Sequence, residues 1–213
     1  MSNLKGVGVA LVTPFNEDLS VDFDSLTRLV EYNIENGTNY LVVLGTTAEA
    51  ATLSAAEKQE VIKHVIKINN KRLPLVLGIG GNNTLEVKKQ IEEADLTDFD
   101  AVLSVSPYYN KPNQEGLYQH YKMLASTGKQ IIIYNVPGRT GQNIEASTTL
   151  RLANEFPNLF MIKEAAPNIL QYFDILRKKP ANFSLVSGDD EYTLPVTLAG
   201  GDGVISVIGQ GYP

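Results

Sequence analysis

Eight short runs rich in Val, Ile and Leu recur along the chain, and between them apolar residues fall three and four apart. The runs are "GVGVALVTPF" (6–15), "YLVVLG" (40–45), "LPLVLGIG" (73–80), "AVLSVSP" (101–107), "QIIIYNVP" (130–137), "FMIKEAA" (160–166), "FSLVSGD" (183–189) and "GVISVIG" (203–209). Near-continuous apolar strands have both faces covered, as in a parallel sheet flanked by helices. The intervening segments read as amphipathic helices. The first carries Phe23, Leu26, Val30 and Ile34 on one face, and the second opens at Ser54 with Glu57 three residues on, a capping-box spacing. Further helices are expected near 84–97, 113–127, 145–155, 167–178 and 190–199, seven in all.

Eight strand–helix steps of about thirty residues each predict a (β/α)8 TIM barrel of the α/β class. An open doubly wound sheet is the alternative, but "VTPFNED" after the first strand lacks its glycine-rich phosphate loop. The chain ends four residues after the eighth strand, at "QGYP", whereas such barrels commonly reach about 250 residues. The expectation is therefore a single barrel domain over 1–213, truncated after strand 8.

Composition narrows the chemistry. A net charge of −6 without a basic run argues against a nucleic-acid surface. The absence of cysteine excludes disulfides, zinc–thiolate sites and a thiol nucleophile. His64 and His120 lie on separate expected helices without ligand spacing, so they are read as surface or half-buried and no metal site is expected. No stretch has the length of a membrane span or the form of a signal peptide, which makes the cytoplasm the default.

In a barrel, chemistry gathers at the carboxyl ends of the strands, and the unusual residues of this chain fall there. Lys163 interrupts an apolar strand. Alternation puts Met161, Lys163 and Ala165 on one face, and if that face is inward, burial lowers the amine pKa and favours Schiff-base chemistry. Pairing with Glu164, Asp189 or Asp190 would instead make Lys163 structural, and strand position alone divides these readings evenly. Tyr134 shares a face with Ile132 and can move protons beside an amine, although a lone tyrosine is more often a packed one. Thr46 and Thr47 follow the second strand, where hydroxyls and amides can hold a carboxylate or simply form a turn. Arg139 in "PGRTG" suits bidentate capture of a carboxylate, or else is a solvated loop residue. Asp189, Asp190 and Glu191 are expected to cap the following helix.

Taken together, "GTTAEAATL", "SPYYNKP", "YNVPGRTG", "IKEA", "SGDD" and "GVISV" resemble the dihydrodipicolinate synthase branch of the pyruvate-dependent class I aldolases, in order and over the whole chain. The resemblance implies that Lys163 forms an imine with pyruvate, that Tyr134 relays protons, and that Thr46 links Tyr134 to Tyr109 from a neighbouring subunit. It further implies that Thr47 binds the pyruvate carboxylate, that Arg139 engages aspartate semialdehyde, and that Gly188 and Ile205 line the pocket. It implies no metal or organic cofactor, a helical domain after the barrel, and a homotetramer built as a dimer of dimers. Sibling aldolases acting on N-acetylneuraminate or keto-deoxy-sugar acids, and a barrel protein without catalysis, are the alternatives. Two departures stand out. Ala48 replaces the usual glycine of "GTTGE", which is expected to tighten the loop. Lysine-inhibited members often carry Ser and His near positions 50, 55 and 58, where this chain has Ala50, Ala55 and Lys58, so lysine feedback is not implied.

Overall fold

A computed structural model describes residues 4–213. Eight parallel strands close into a barrel in sequence order: β1 (Gly6–Ala10), β2 (Tyr40–Val43), β3 (Leu75–Gly78), β4 (Ala101–Val105), β5 (Ile131–Asn135), β6 (Leu159–Glu164), β7 (Ser184–Ser187) and β8 (Gly203–Ser206). The β1–β8 ladder pairs Gly6 with Gly203 and Val9 with Ser206, which excludes the open sheet. The helices are α1 (Phe23–Glu35), α2 (Ala55–Asn69), α3 (Thr84–Glu93), α4 (Gln114–Ala125), α5 (Pro137–Thr140), α6 (Ala146–Glu155), α7 (Ile169–Lys178) and α8 (Thr193–Leu198).

The strand pattern separates two cores. Inward residues Val42, Val76, Leu103, Ile132, Met161, Val186 and Ile205 fill the barrel. Outward residues such as Leu41, Val43, Leu75 and Leu77 pack under Leu26, Val30, Val61 and Val65 of α1 and α2. Each fully buried Leu, Ile or Val contributes about 1.5–3 kcal/mol, so a charged group among them is a costly exception. The capping box on α2 forms as its spacing predicts: Ser54 N–H donates to Glu57 Oε2 at 2.8 Å and Glu57 N–H to Ser54 Oγ at 3.2 Å.

The amino-terminal end of the barrel is plugged. Tyr40 and Leu4 are fully buried there, and the Tyr40 hydroxyl donates to the Val204 carbonyl at 3.3 Å. A Cβ on Gly8 would lie 2.2 Å from the Tyr40 ring, so only glycine leaves room for the plug.

Several expected boundaries move. The first strand stops at Ala10 rather than residue 15; the chain then turns, and Phe15 makes a lone bridge to Val21. The eighth strand stops at Ser206, and Ile208–Gln210 forms a 3-10 turn. The expected helix over 190–199 is split into a 3-10 turn at Asp190–Tyr192 and the short α8. The one-turn α5 lies outside the seven expected helices; Pro137 starts it, with a fixed φ suited to a first helical position. Asp189 does cap, accepting from Glu191 N–H, but Asp190 does not. Its carboxylate reaches across to β8, accepting from Ser206 Oγ at 2.5 Å and from the amides of Val207 and Ile208 at 3.1 Å. His120 is buried, not at the surface, because α4 lies between α3 and α6 and buries Leu117, Tyr121 and Leu124 on the same side. Its Nδ1 lies 2.8 Å from Thr84 Oγ1, and burial pushes its pKa down to about 4.

Candidate active site

Lys163 is 2 % exposed and points into the barrel above Met161. Among the described residues no carboxylate forms an ion pair with it. Glu164, Asp189 and Asp190, the acids that would have made it structural, are engaged elsewhere. Desolvation holds the amine pKa below the ordinary lysine range, partly offset by Tyr134 and lowered further by the Arg139 charge. The nitrogen lies 4.3 Å from the centre of the Tyr134 ring, whose electron-rich face favours its charged form.

This proximity follows from register. Tyr134 on β5 pairs with Lys163 on β6, one inward position beyond the Ile132–Met161 level. A backbone shift between Ile131 and Ile132 brings β5 into this alignment. The Tyr134 backbone is held from behind, with its N–H donating to the Tyr121 hydroxyl at 3.4 Å.

Thr46 meets Tyr134 across the mouth, hydroxyl to hydroxyl, at 3.4 Å. The turn that carries it is strained. Leu44 is buried with φ of 56°, a left-handed conformation that costs a non-glycine residue on the order of 1–3 kcal/mol. Its carbonyl occupies the space a Cβ on Gly78 would need, 2.2 Å away. Thr46–Ala48 then forms a 3-10 turn with Thr47 half-buried beside Thr46. Ala48 does not occupy a left-handed position in this turn. The left-handed residue is Glu49, whereas Ala48 is buried in an ordinary conformation with its carbonyl accepting from Thr13 Oγ1 at 2.8 Å.

Gly188 and Ile205 complete the walls. A Cβ on Gly188 would stand 2.9 Å from Lys163 Cε and 2.8 Å from Ala165 Cβ, so the lysine stem lies directly over this glycine. Ile205 is fully buried in the same inner core. Arg139 sits exposed on the rim in α5, on the wall of a cleft of about 770 Å³ shared with Thr46, Tyr108 and Tyr134. Tyr109 is not brought into the site. It is 88 % exposed with φ of 73°, and among the described residues it has no hydrogen bond to Thr46 or Tyr134.

One cluster escapes a reading of the sequence. On the outer face of the same rung, Asn135 pairs with Glu164. Glu164 is fully buried; its Oε1 accepts from Asn135 Nδ2 and the Ala166 amide, and its Oε2 from Gln171 Nε2, each at 2.8 Å. Burial raises its pKa to about 7 even though these donors favour the charged form. Asn135 also accepts from Ile144 N–H at 2.9 Å, and Asn143 donates to Gln171 Oε1 at 2.8 Å. "YNVPGRTGQN" and "IKEA" contain three of these residues, but only the register shows that they meet.

An inward amine whose charged form burial disfavours, a phenol in contact with it and a hydroxyl bonded to that phenol can bind a carbonyl compound covalently and move protons around it. Known proteins can be compared with this chain over nearly its whole length. A sequence profile of the Dihydrodipicolinate synthetase family matches residues 3–212. The 4-hydroxy-tetrahydrodipicolinate synthase of Flavobacterium psychrophilum is 59 % identical over 209 residues, 98 % of this chain and 71 % of that protein. The dihydrodipicolinate synthase of Thermotoga maritima superposes with a TM-score of 0.95 at 42 % identity, covering 100 % of this chain and 73 % of the other. A chloride-inhibited dihydrodipicolinate synthase from Acinetobacter baumannii, complexed with pyruvate, gives a TM-score of 0.93 at 45 % identity, over 97 % of this chain and 71 % of that one. With the profile spanning nearly every residue and the fold shared at this identity, the chain belongs to the dihydrodipicolinate synthetase family.

Proposed function

We propose that the chain is a lyase that condenses pyruvate with aspartate semialdehyde on Lys163, giving 4-hydroxy-tetrahydrodipicolinate for diaminopimelate and lysine synthesis. The observation that carries this reading is the unpaired, buried amine of Lys163 against Tyr134 at the open end of the barrel. Its relatives named 4-hydroxy-tetrahydrodipicolinate synthase support the choice of substrates.

The chemistry runs from the residues upward. Neutral Nζ of Lys163 attacks the pyruvate ketone carbon, and loss of water leaves a protonated imine. That imine withdraws electrons from the methyl group, which loses a proton to become an enamine. The enamine carbon attacks the aldehyde, forming the new carbon–carbon bond. The substrate amine then attacks the imine carbon, closes the ring and releases Lys163. Tyr134 carries the protons for water loss and ring closure, with Thr46 holding its hydroxyl in place. Thr47 binds the pyruvate carboxylate, Gly188 and Ile205 shape the pocket around the imine, and Arg139 on the rim takes the aldehyde's carboxylate. The imine nitrogen takes up the electron pair released with the methyl proton and returns it to the new bond, while the aldehyde oxygen takes up a proton to become the product hydroxyl, so no cofactor is called for.

In this reading residues 1–213 act as one barrel domain of a cytoplasmic dimer of dimers, in which Tyr109 of a second copy reaches Thr46. Support comes from the outward aromatic ring and left-handed backbone of Tyr109, which suit presentation to a neighbour.

The test is borohydride reduction with pyruvate, followed by peptide mass analysis. A pyruvate-sized mass increase on Lys163 is expected, and an unmodified Lys163 in active protein would refute the mechanism. Arg139→Ala is expected to trap pyruvate normally while losing about 10²-fold in kcat/KM for the aldehyde. Equal loss of both steps would remove Arg139 from its assigned role.

A further inference from the structure

We propose that Glu164 is a positioning residue for the reaction on the opposite face of its strand: it clamps the three segments that carry Lys163, Tyr134 and Arg139 in one register. This rests on the Schiff-base reading above. Each hydrogen bond to the Glu164 carboxylate leads to one of those segments. Asn135, which donates to Oε1, is the residue after Tyr134. The Ala166 amide, donating to the same oxygen, fixes the chain just beyond Lys163. Gln171, donating to Oε2, is bonded in turn to Asn143 and the Ile144 carbonyl, where the segment that begins with Arg139 returns to the barrel. The backbone carbonyl of Glu164 is held as well, by the Tyr172 hydroxyl at 2.7 Å and by the amide of Gly188, the glycine under the lysine stem, at 2.6 Å.

A buried carboxylate bonded only by neutral donors is a costly way to fill space. An apolar side chain would serve packing, but it would orphan three donors at once. The acid is therefore explained by what it fixes. In a strand, the outward residue and its inward neighbour share one backbone, so freedom on the outer face becomes freedom of the reacting groups. Misplacement of reacting groups by about 1 Å can cost on the order of 10²-fold in rate.

Glu164→Gln tests this with little change of shape. Its oxygen can still accept from Asn135 and Ala166, but its amide then faces the Gln171 amide, donor against donor. The experiment counts imine-forming sites by borohydride trapping with pyruvate, then measures kcat and KM per competent site for both substrates. The expected result is near-complete trapping, kcat per competent site reduced about tenfold, and a raised KM for the aldehyde as the Arg139 segment loosens. A purely structural Glu164 would lower the number of competent sites and leave kcat per site within about twofold of the parent, and that result would overturn the proposal. If Glu164→Gln does not fold, Gln171→Ala decides by the same criterion, with a loss of about threefold expected. Failure of the parent protein to trap pyruvate would instead sink the Schiff-base reading, and this inference with it.

Discussion

The rung that joins β5 to β6 has two faces of opposite electrostatic character. Inside, Lys163 meets Tyr134 with no acid partner among the described residues, and burial depresses its pKa. Outside, Glu164 meets Asn135, and three donors satisfy it. The inner group has no acid beside it among the described residues and its charged form is disfavoured by burial. The outer group is held by three neutral donors that favour its charged form against the desolvation that raises its pKa. One peptide bond separates the residue proposed to react from the residue proposed to hold it in place.

The largest expected break in this comparison is Lys163→Met. It removes the proposed nucleophile while keeping much of the volume, so turnover should fall by at least about 10³-fold. The same change should stabilise the fold by about 1 kcal/mol, seen as about 2–4 °C in Tm, because a desolvated amine is replaced by an apolar chain. A lower Tm would mean that the inner face is better satisfied than its geometry indicates.

Gly188→Ala perturbs the inner face without touching its chemistry. The added methyl would lie 2.9 Å from Lys163 Cε, so the stem must move. A loss of about tenfold in kcat and about 1–3 kcal/mol of stability is expected from kinetics and chemical unfolding.

The smallest effect sharpens the outer face. Glu164 has a folded-state pKa raised from 4.5 to about 7. The folded state thus holds this proton more tightly than the unfolded chain, and the resulting stability is lost as pH rises from 4.5 to about 7. His120 works in the opposite direction. Its pKa falls from 6.5 to about 4, so its contribution is present above 6.5 and lost as pH falls towards 4. In Glu164→Gln the His120 slope stands unopposed, and Tm should fall more steeply between about pH 6.5 and 5 than in the parent. Parallel Tm curves would show that the buried carboxyl does not titrate in this range.

Much of the inner face is legible in the sequence. Lys163 is conspicuous as a charge in an apolar strand, and alternation alone puts it with Met161. The same alternation turns Glu164 to the other face; what cannot be read there is that Asp189 and Asp190 are bonded elsewhere and leave Lys163 without an ion pair. The outer cluster is illegible for a similar reason. Asn135, Asn143, Glu164 and Gln171 come from four segments, two of them strands, and each alone passes for an ordinary polar residue of a strand end, loop or helix. His120 does leave a signal: it lies three residues after Leu117 and four before Leu124, on the helix's apolar stripe. Strand ends are misplaced because closure of the barrel decides them. The apolar run through Leu11, Val12 and Val207 continues beyond the last rung that can pair.

The Tyr40 plug bears on how such a site handles traffic. The Tyr40 ring, which only Gly8 can accommodate, stoppers one end of the barrel, and the cleft lined by Thr46, Tyr134 and Arg139 lies at the other. In the mechanism proposed above, departing water and arriving aldehyde share that strand-end side. The first reactant, held covalently on the lysine, would stay behind while its water departs and the second enters. On that proposal, turn-taking would be built into the floor, at the far end of the molecule from where the bonds change.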